Sequence, residues 1–350
     1  MNGNIMKPLI TDLNLSELTE AMKDMGQPAY RAKQIWQLVY KQFAPTINDF
    51  TTLPKELREK LSEKYSFSPL TVVKDLKSTD GQTNKLLFGL QDGRMIESVL
   101  MRYEKRQTIC ISTQVGCPMN CAFCATGQMG FLRNLSAGEI VAQVLYFARM
   151  LKDEGLALTN IVVMGMGEPF HNYEAVMKAI DIINDPDGMQ FGERRVTVST
   201  VGIIPRIEQF ANQHRQVNLA VSLHAPSNTI RNQIMPANKK YPIDELIEAC
   251  KYYTNTTHRR ITFEYALING LNDSAENALQ LSRRLKGMLC HVNLIPLNST
   301  KKYDGSGSSY DRVKSFKMVL DRAGIPCSVR LKRGIDIGAG CGQLLSEETK

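Results

Sequence analysis

Cys110-Ile111-Ser112-Thr113-Gln114-Val115-Gly116-Cys117-Pro118-Met119-Asn120-Cys121-Ala122-Phe123-Cys124-Ala125-Thr126 is the stretch on which the reading of this chain turns. Its opening residues continue a β-branched run over 108–113 that reads as a strand, and its second half sets three thiols in the loop just beyond. A structural zinc ion asks for four protein ligands, and no other Cys or His lies close enough in sequence to complete the set. A ferredoxin-type centre also takes four thiolates. Three thiolates on a four-iron cluster leave one iron open, where a small molecule can bind and receive an electron. The competing reading is a zinc site whose fourth ligand, Cys110 or Cys341, arrives from elsewhere in the chain.

Downstream of this loop, short β-branched runs alternate with longer helix-periodic segments. Strands are predicted over 108–113, 160–164, 195–199, 217–223, 260–267, 291–295 and 326–330. Helices are predicted over 137–151, where Ser136 and Glu139 have capping-box spacing, and over 173–183, 243–254, 274–286 and 310–323. About six βα units in series mean a parallel sheet, because each parallel return needs a crossover. The preferred form is a partial six-unit barrel rather than a closed eight-unit one.

Upstream, Ala32, Ile35, Trp36, Leu38 and Val39 recur at helical spacing, and a second helix follows Pro54 with Leu57 and Leu61 on one face. β-like runs over 71–76, 85–90 and 95–101, punctuated by Asp80-Gly81 and Asp92-Gly93, predict an antiparallel hairpin or meander. The expected fold class is therefore α/β. It divides into a helical accessory unit (1–67), a β-hairpin connection (68–106), the barrel (107–331) and a terminal segment (332–350). The run DGSGSS over 304–309 reads as a mobile surface loop.

With 350 residues, 43% of them hydrophobic, the chain can bury a large core. No stretch reaches the roughly 20 apolar residues of a membrane span, and Met1 to Leu9 lacks the apolar run of a secretory signal, so the expected compartment is the cytoplasm. Eight cysteines there argue for metal or redox chemistry rather than a disulfide framework. A net charge of +8 suits a polyanionic partner.

A second motif, Met164-Gly165-Met166-Gly167-Glu168-Pro169, follows the second strand; its glycines allow close backbone approach and Glu168 can accept from an ammonium. Ser199 and Ser222-Leu223-His224 end the third and fourth strands, and Asn298 lies just past the sixth. Polar groups at the carboxyl ends of barrel strands converge on one mouth. Near the end of the chain, Cys341 stands between Gly340 and Gly342, an accessible candidate nucleophile.

The CxxxCxxC spacing of Cys117, Cys121 and Cys124, with Phe123 before the last, resembles the radical-SAM superfamily. The resemblance implies a 4Fe-4S cluster on those three cysteines and S-adenosylmethionine on the open iron, with Gly167 and Glu168 matching the segment that contacts the methionine amino group. The whole run over 110–126, MGMGEP, VTVST with Gly202, SLHAP and GCGQL, together with the upstream YRAKQIW, resembles the RlmN/Cfr family of radical-SAM RNA adenine methyltransferases over nearly the full chain. Gly340 departs from the Ala that many members carry before the cysteine.

What that resemblance implies is specific. Cys341 would take a methyl group from one S-adenosylmethionine, and a second would be cleaved to abstract hydrogen from the S-methyl group. The resulting carbon would add to adenine. Cys110 would then release the adduct, leaving a transient Cys110–Cys341 disulfide, and Glu97 matches the family's proposed proton acceptor. Ser199, Ser222, Leu223, His224 and Asn298 fall among the cofactor-binding positions. Cys250, Cys290 and Cys327 read as core.

The implied partners are 23S rRNA and tRNA, with an external one-electron reductant such as flavodoxin, no membrane and a monomeric chain. Arg31, Lys33, Lys41, Arg194, Arg195, Lys301, Lys302, Lys332 and Arg333 are candidate phosphate contacts. Three functions compete at this level. They are methylation at adenine carbon 2 in 23S rRNA and in tRNA beside the anticodon, methylation at carbon 8 of the ribosomal base with antibiotic resistance, and a non-catalytic iron–sulfur RNA-binding or electron-transfer protein.

Overall fold

The computed structural model describes residues 7–67, 69–331 and 333–344. Lys332, one of the candidate phosphate contacts, lies outside the described residues. The chain opens with α1 (Leu15–Asp24), α2 (Tyr30–Tyr40) and α3 (Lys55–Lys64). The sequence reading missed α1, although Asn14 and Glu17 form a reciprocal capping box at its start. A meander follows of β1 (Leu70–Lys77), β2 (Thr83–Leu90) and β3 (Met95–Tyr103), paired antiparallel. Gly81 (φ 66°) and Gly93 (φ 79°) supply the left-handed turn positions that the two Asp-Gly pairs predicted.

The first parallel strand, β4 (Arg106–Cys110), is shorter than expected. The chain leaves it and forms a separate hairpin, β5 (Gln114–Gly116) and β6 (Phe131–Asn134), which brackets the cysteine loop and the short α4 (Ala125–Gln128). Six crossovers then alternate helix and strand. These are α5 (Ala137–Asp153), β7 (Asn160–Val163), α6 (Tyr173–Asn184), β8 (Val196–Thr200), α7 (Ile204–Asn212), β9 (Asn218–Ser222), α8 (Asn228–Ile234), α9 (Ile243–Thr257), β10 (Ile261–Leu267), α10 (Ala275–Leu285), β11 (Cys290–Pro296), α11 (Tyr310–Arg322) and β12 (Cys327–Val329). The sheet runs β1-β2-β3-β4-β7-β8-β9-β10-β11-β12. Seven parallel strands joined by six crossovers, with β1 and β12 as its edges, make the expected partial barrel.

The amino-terminal helices are fastened to the outside of the barrel. Gly138 N donates to Asp12 Oδ1 (2.6 Å), Trp36 Nε1 to Asp185 Oδ1 (3.1 Å), and Lys178 pairs with Glu17 (2.8 Å). Two glycines permit the approach: a Cβ on Gly138 would lie 2.8 Å from Thr11 Oγ1, and one on Gly188 2.7 Å from Trp36 Nε1. Buried residues of α1–α3 and of the barrel belong to one continuous apolar core. The 304–309 loop, expected to be mobile, is tied back by Ser308 Oγ to Asp273 (2.6 Å) and by Asn269 N to Ser306 O (2.9 Å).

Candidate active site

The carboxyl ends of the parallel strands open on one cavity. Its wall includes Cys110 from β4, Cys117, Cys121 and Cys124 from the loop, Gly167 and Glu168 after β7, Ser199 on β8, Ser222 and His224 at β9, Asn298 after β11, and Cys341. Two expected residues do not join them. Leu223 is fully buried in the apolar core because strand alternation turns it away from its neighbours Ser222 and His224, leaving only its backbone near the site. Glu97 is buried beside the cavity, in an ion pair with Lys85 (2.9 Å), while the β3 residues on the wall are Val99, Met101 and Tyr103.

The β5–β6 hairpin is the base of the cysteine loop. Cys117 N donates to Gly130 O (2.8 Å), and Gly116 (φ 76°) sits so close that a Cβ would lie 1.9 Å from that same carbonyl. Ala122 N donates to Ile234 O (2.9 Å), tying the loop to α8. Burial pushes the Cys117 thiol up to about 12. It pushes Cys121 well up, reinforced by Cys124 and Cys117, and raises Cys124 against opposing bonds from Gly127 and Thr126. Three crowded thiols, Cys124 adding to the proton affinity of Cys117 and Cys121, fit a cationic cluster, which replaces the protons by iron. Among the described residues no three His, Cys, Asp or Glu side chains stand close enough to hold a metal ion as they are, the three loop cysteines included.

The glycines of MGMGEP act against protein, not only toward a ligand. A Cβ on Gly165 would lie 2.6 Å from Ile111 O, and one on Gly167 (φ 107°) 2.7 Å from Gln114 Cβ and Thr113 Oγ1. This packing presents Glu168, whose Oε1 accepts from Phe170 N (3.0 Å) and Oε2 from Val201 N (2.8 Å). Burial raises its carboxyl to about 7. With the Thr200 hydroxyl these make three donors on a carboxylate of about four acceptor sites, so a ligand ammonium in the cavity can still be received and would restore the charged form. Asn298 gives its Nδ2 to Cys341 O (3.2 Å) and leaves Oδ1 buried without a partner, an acceptor facing the same space.

Cys110 and Cys341 reach the wall from opposite ends of the barrel sequence. Both are free thiols, as are all eight cysteines, so the expected disulfide is not a standing feature of the fold. Burial lifts Cys110 to about 12, with Cys341 adding to it and Arg330 opposing. Cys341 is exposed as a residue, yet the crowding around its sulfur raises the thiol and Arg330 opposes that rise. Of the other thiols, Cys250 and Cys290 are core, whereas Cys327 is only half-buried.

Sequence reasoning missed Glu264 and Arg330, which also line the cavity, 4.0 Å apart. The signal for Glu264 was an acid in the apolar run ITFEYAL. Gly340 matters more than expected, since a Cβ there would lie 2.7 Å from Asn298 Nδ2. Of the candidate phosphate contacts, Lys301 and Lys302 follow the carboxyl end of β11 on the mouth side. Arg194 and Arg195 precede β8 at the opposite end. Lys33 pairs with Asp187 (2.7 Å), and Arg333 is committed to Arg102 O and the Tyr103 ring (4.3 Å).

A partial barrel with a three-thiol loop at its mouth defines the radical SAM class, and residues 111–281 match the pattern of the Radical SAM superfamily. Residues 9–66 match the ribosomal RNA large subunit methyltransferase N-terminal domain. The chain is 46% identical over 342 residues to the dual-specificity RNA methyltransferase RlmN 1 of Myxococcus xanthus, covering 96% of this chain and 95% of that one. It is 47% identical over 335 residues to a protein of Caldanaerobacter subterraneus described as a probable dual-specificity RNA methyltransferase RlmN, covering 96% and 97%. A radical SAM methyltransferase from Sphaerobacter thermophilus superposes with a TM-score of 0.96 at 51% identity, covering 97% of this chain and all of that one. The chain belongs to the RlmN family of radical SAM RNA methyltransferases.

Proposed function

We propose that this chain methylates carbon 2 of adenine in 23S rRNA and in tRNA beside the anticodon, through an S-methylcysteine on Cys341. The observation that carries the reading is the meeting of five thiols on one cavity wall, three from the loop and two, Cys110 and Cys341, that the cluster does not need. Cys117, Cys121 and Cys124 would hold the cluster, which would supply the electron for reductive cleavage of S-adenosylmethionine. A non-catalytic iron–sulfur protein has no use for the two spare thiols.

The residues divide the remaining work. Glu168 and Asn298 present acceptors to S-adenosylmethionine. Cys341, flanked by glycines, accepts the methyl group as a thiolate, with Arg330 favouring that charged form. Once a hydrogen has been taken from the S-methyl group, its carbon adds to the base and joins Cys341 to RNA. Cys110, fixed at the end of β4, attacks the Cys341 sulfur and frees the base. The balance closes with one proton leaving the ring carbon, one arriving at the methylene carbon and one electron leaving the sulfur pair, which the cluster held by Cys117, Cys121 and Cys124 would accept. Returning the Cys110–Cys341 disulfide to two thiols then takes two electrons and two protons from a thiol reductant outside the chain, while an external one-electron donor such as flavodoxin would reduce the cluster. The target base must be splayed out of its loop to enter.

The two thiols should fail at different steps. Cys341→Ala should acquire no methyl group and form no RNA adduct, whereas Cys110→Ala should be methylated and accumulate protein covalently joined to RNA. Gel analysis before and after nuclease treatment reads this directly. Normal turnover by Cys110→Ala, or a crosslink in Cys341→Ala, defeats the two-thiol route, and mass spectrometry of the product against 2-methyl- and 8-methyladenosine decides the carbon.

A further inference from the structure

The antiparallel strands carry the inner face of the barrel past its first parallel strand. Lys85 on β2 stands opposite Val99 on β3, and Val99 opposite Cys110 on β4. Cross-strand partners share a face, so the three form one row, and Val99 and Cys110 of that row line the cavity. Glu97, two residues from Val99, lies on the same face.

The β2 member of the row is a lysine whose side chain is only 12% exposed. An ammonium so shielded from water needs acceptors. It has the Glu97 carboxylate at 2.9 Å and the carbonyl of Gly338 at 3.3 Å. Gly338 belongs to a tight turn closed by Ala339 N to Gly334 O (2.7 Å) and Gly338 N to Ile335 O (3.0 Å). Its φ of 62° and the 3.4 Å that would separate a Cβ from Lys85 Nζ both suit glycine. Three residues further on is Cys341. The turn has a second anchor, Asp336, which accepts from Thr79 N at 2.8 Å at the exposed end of the β1–β2 hairpin.

We propose that Lys85 is a positioning residue for the methyl-accepting thiol, its ammonium held by Glu97 and fixing the Gly338 turn so that Cys341 stands over the cavity. The proposal rests on the reading of Cys341 as that acceptor. A polar anchor of this kind suits a segment that must hold one thiol in register with two successive reactants, because it can be released and remade without disturbing the apolar core. The pairing also explains a lysine on an inner sheet face. Without it Glu97 would lose this counter-charge and the turn its donor from the sheet.

Hydrogen exchange on the full-length chain before cluster reconstitution reads the anchor without any turnover. In Lys85→Met the peptide covering residues 334–343 should exchange about tenfold faster, with β7 to β10 unchanged. In the reconstituted holoenzyme, the S-methyl group on Cys341, followed by mass spectrometry, should form about tenfold more slowly while the cluster absorbance is kept. Lys85→Arg, which retains a charged donor, should recover most of both. Should Lys85→Met not fold, the double variant Lys85→Met with Glu97→Gln removes the carboxylate's charge together with the ammonium's and is expected to give the same two readings. Unchanged exchange in the tail, or a loosened tail with undiminished methylation of Cys341, overturns the proposal. If the unaltered holoenzyme never methylates Cys341, the reading of that thiol fails and the proposal falls with it. The exchange result tells the two failures apart.

Discussion

His224 shows how much a single position is asked to do. It adopts φ 56°, a left-handed conformation that costs a bulky side chain energy, and is held there from two sides. Asn272 Nδ2 donates to its carbonyl (2.7 Å), and its Nδ1 accepts from Ala266 N (2.9 Å). Accepting at Nδ1 fixes the neutral ring with its proton on Nε2, edge-on to Phe123 at 5.0 Å. Burial, and then the Arg231 guanidinium, lower its pKa to about 3. A histidine depressed in the folded state binds fewer protons there than in the unfolded chain between about 3 and 6.5. Its contribution is complete above 6.5 and is lost as pH falls through that window. Asn tolerates the left-handed backbone and offers an oxygen where Nδ1 stood. His224→Asn should therefore fold and show a flatter loss of stability in acid, by a few kcal/mol at about pH 3, measured as the urea midpoint against pH. Equal slopes for the two proteins would refute this account.

At the scale of the element, the β5–β6 hairpin is a small device with one purpose. It turns the chain out of β4 and closes beneath the cysteine loop, so the spacing of Cys117, Cys121 and Cys124 is set by a hairpin as well as by their own sequence. Gly116 is its hinge, with positive φ and the Gly130 carbonyl where a Cβ would go. Gly116→Ala should cost about 1–3 kcal/mol through strain and displacement. Because the strain falls on the residue next to Cys117, iron content after reconstitution should drop more than the thermal midpoint does. Full iron loading in Gly116→Ala would mean the loop is set without the hairpin.

For the whole molecule, the amino-terminal helices and the barrel are one packed body. Trp36, Asp12 and Glu17 are joined to the 185–188 loop, α5 and α6. Removing residues 1–67 would bare those faces, so deletion is not a clean test of an accessory RNA grip. Charge placement gives a better one. RNA must reach the mouth, where Lys302 lies, and not the far end of β8, where Arg194 lies. Lys302→Glu should weaken RNA binding several-fold and lower its salt dependence by about one ion, while Arg194→Glu should leave both unchanged. Equal effects at the two sites would show that the charge acts only as a general field. Among the described residues no helix is long and apolar enough to cross a membrane.

The sequence alone determined the order of the seven parallel strands and of five of the helices between them, because hydrophobic periodicity is local, but it did not show α1, α7, α8 or the β5–β6 hairpin. The three thiols that we propose hold the cluster were legible too, since their spacing lies within one loop. The meander turns were legible for the same reason: an Asp-Gly pair carries its own backbone preference. What tertiary structure decided was everything set by contacts between distant segments. It placed Glu97 in an ion pair beside the wall, turned Leu223 into the core, brought Glu264 and Arg330 into the cavity, and made Gly340 a contact for Asn298. It brought Cys110 and Cys341 to one wall across more than two hundred residues, and it laid the tail on β2. The physical reason is that a side chain's role depends on which charges and carbonyls fold against it, and those neighbours are chosen by the closing of the sheet.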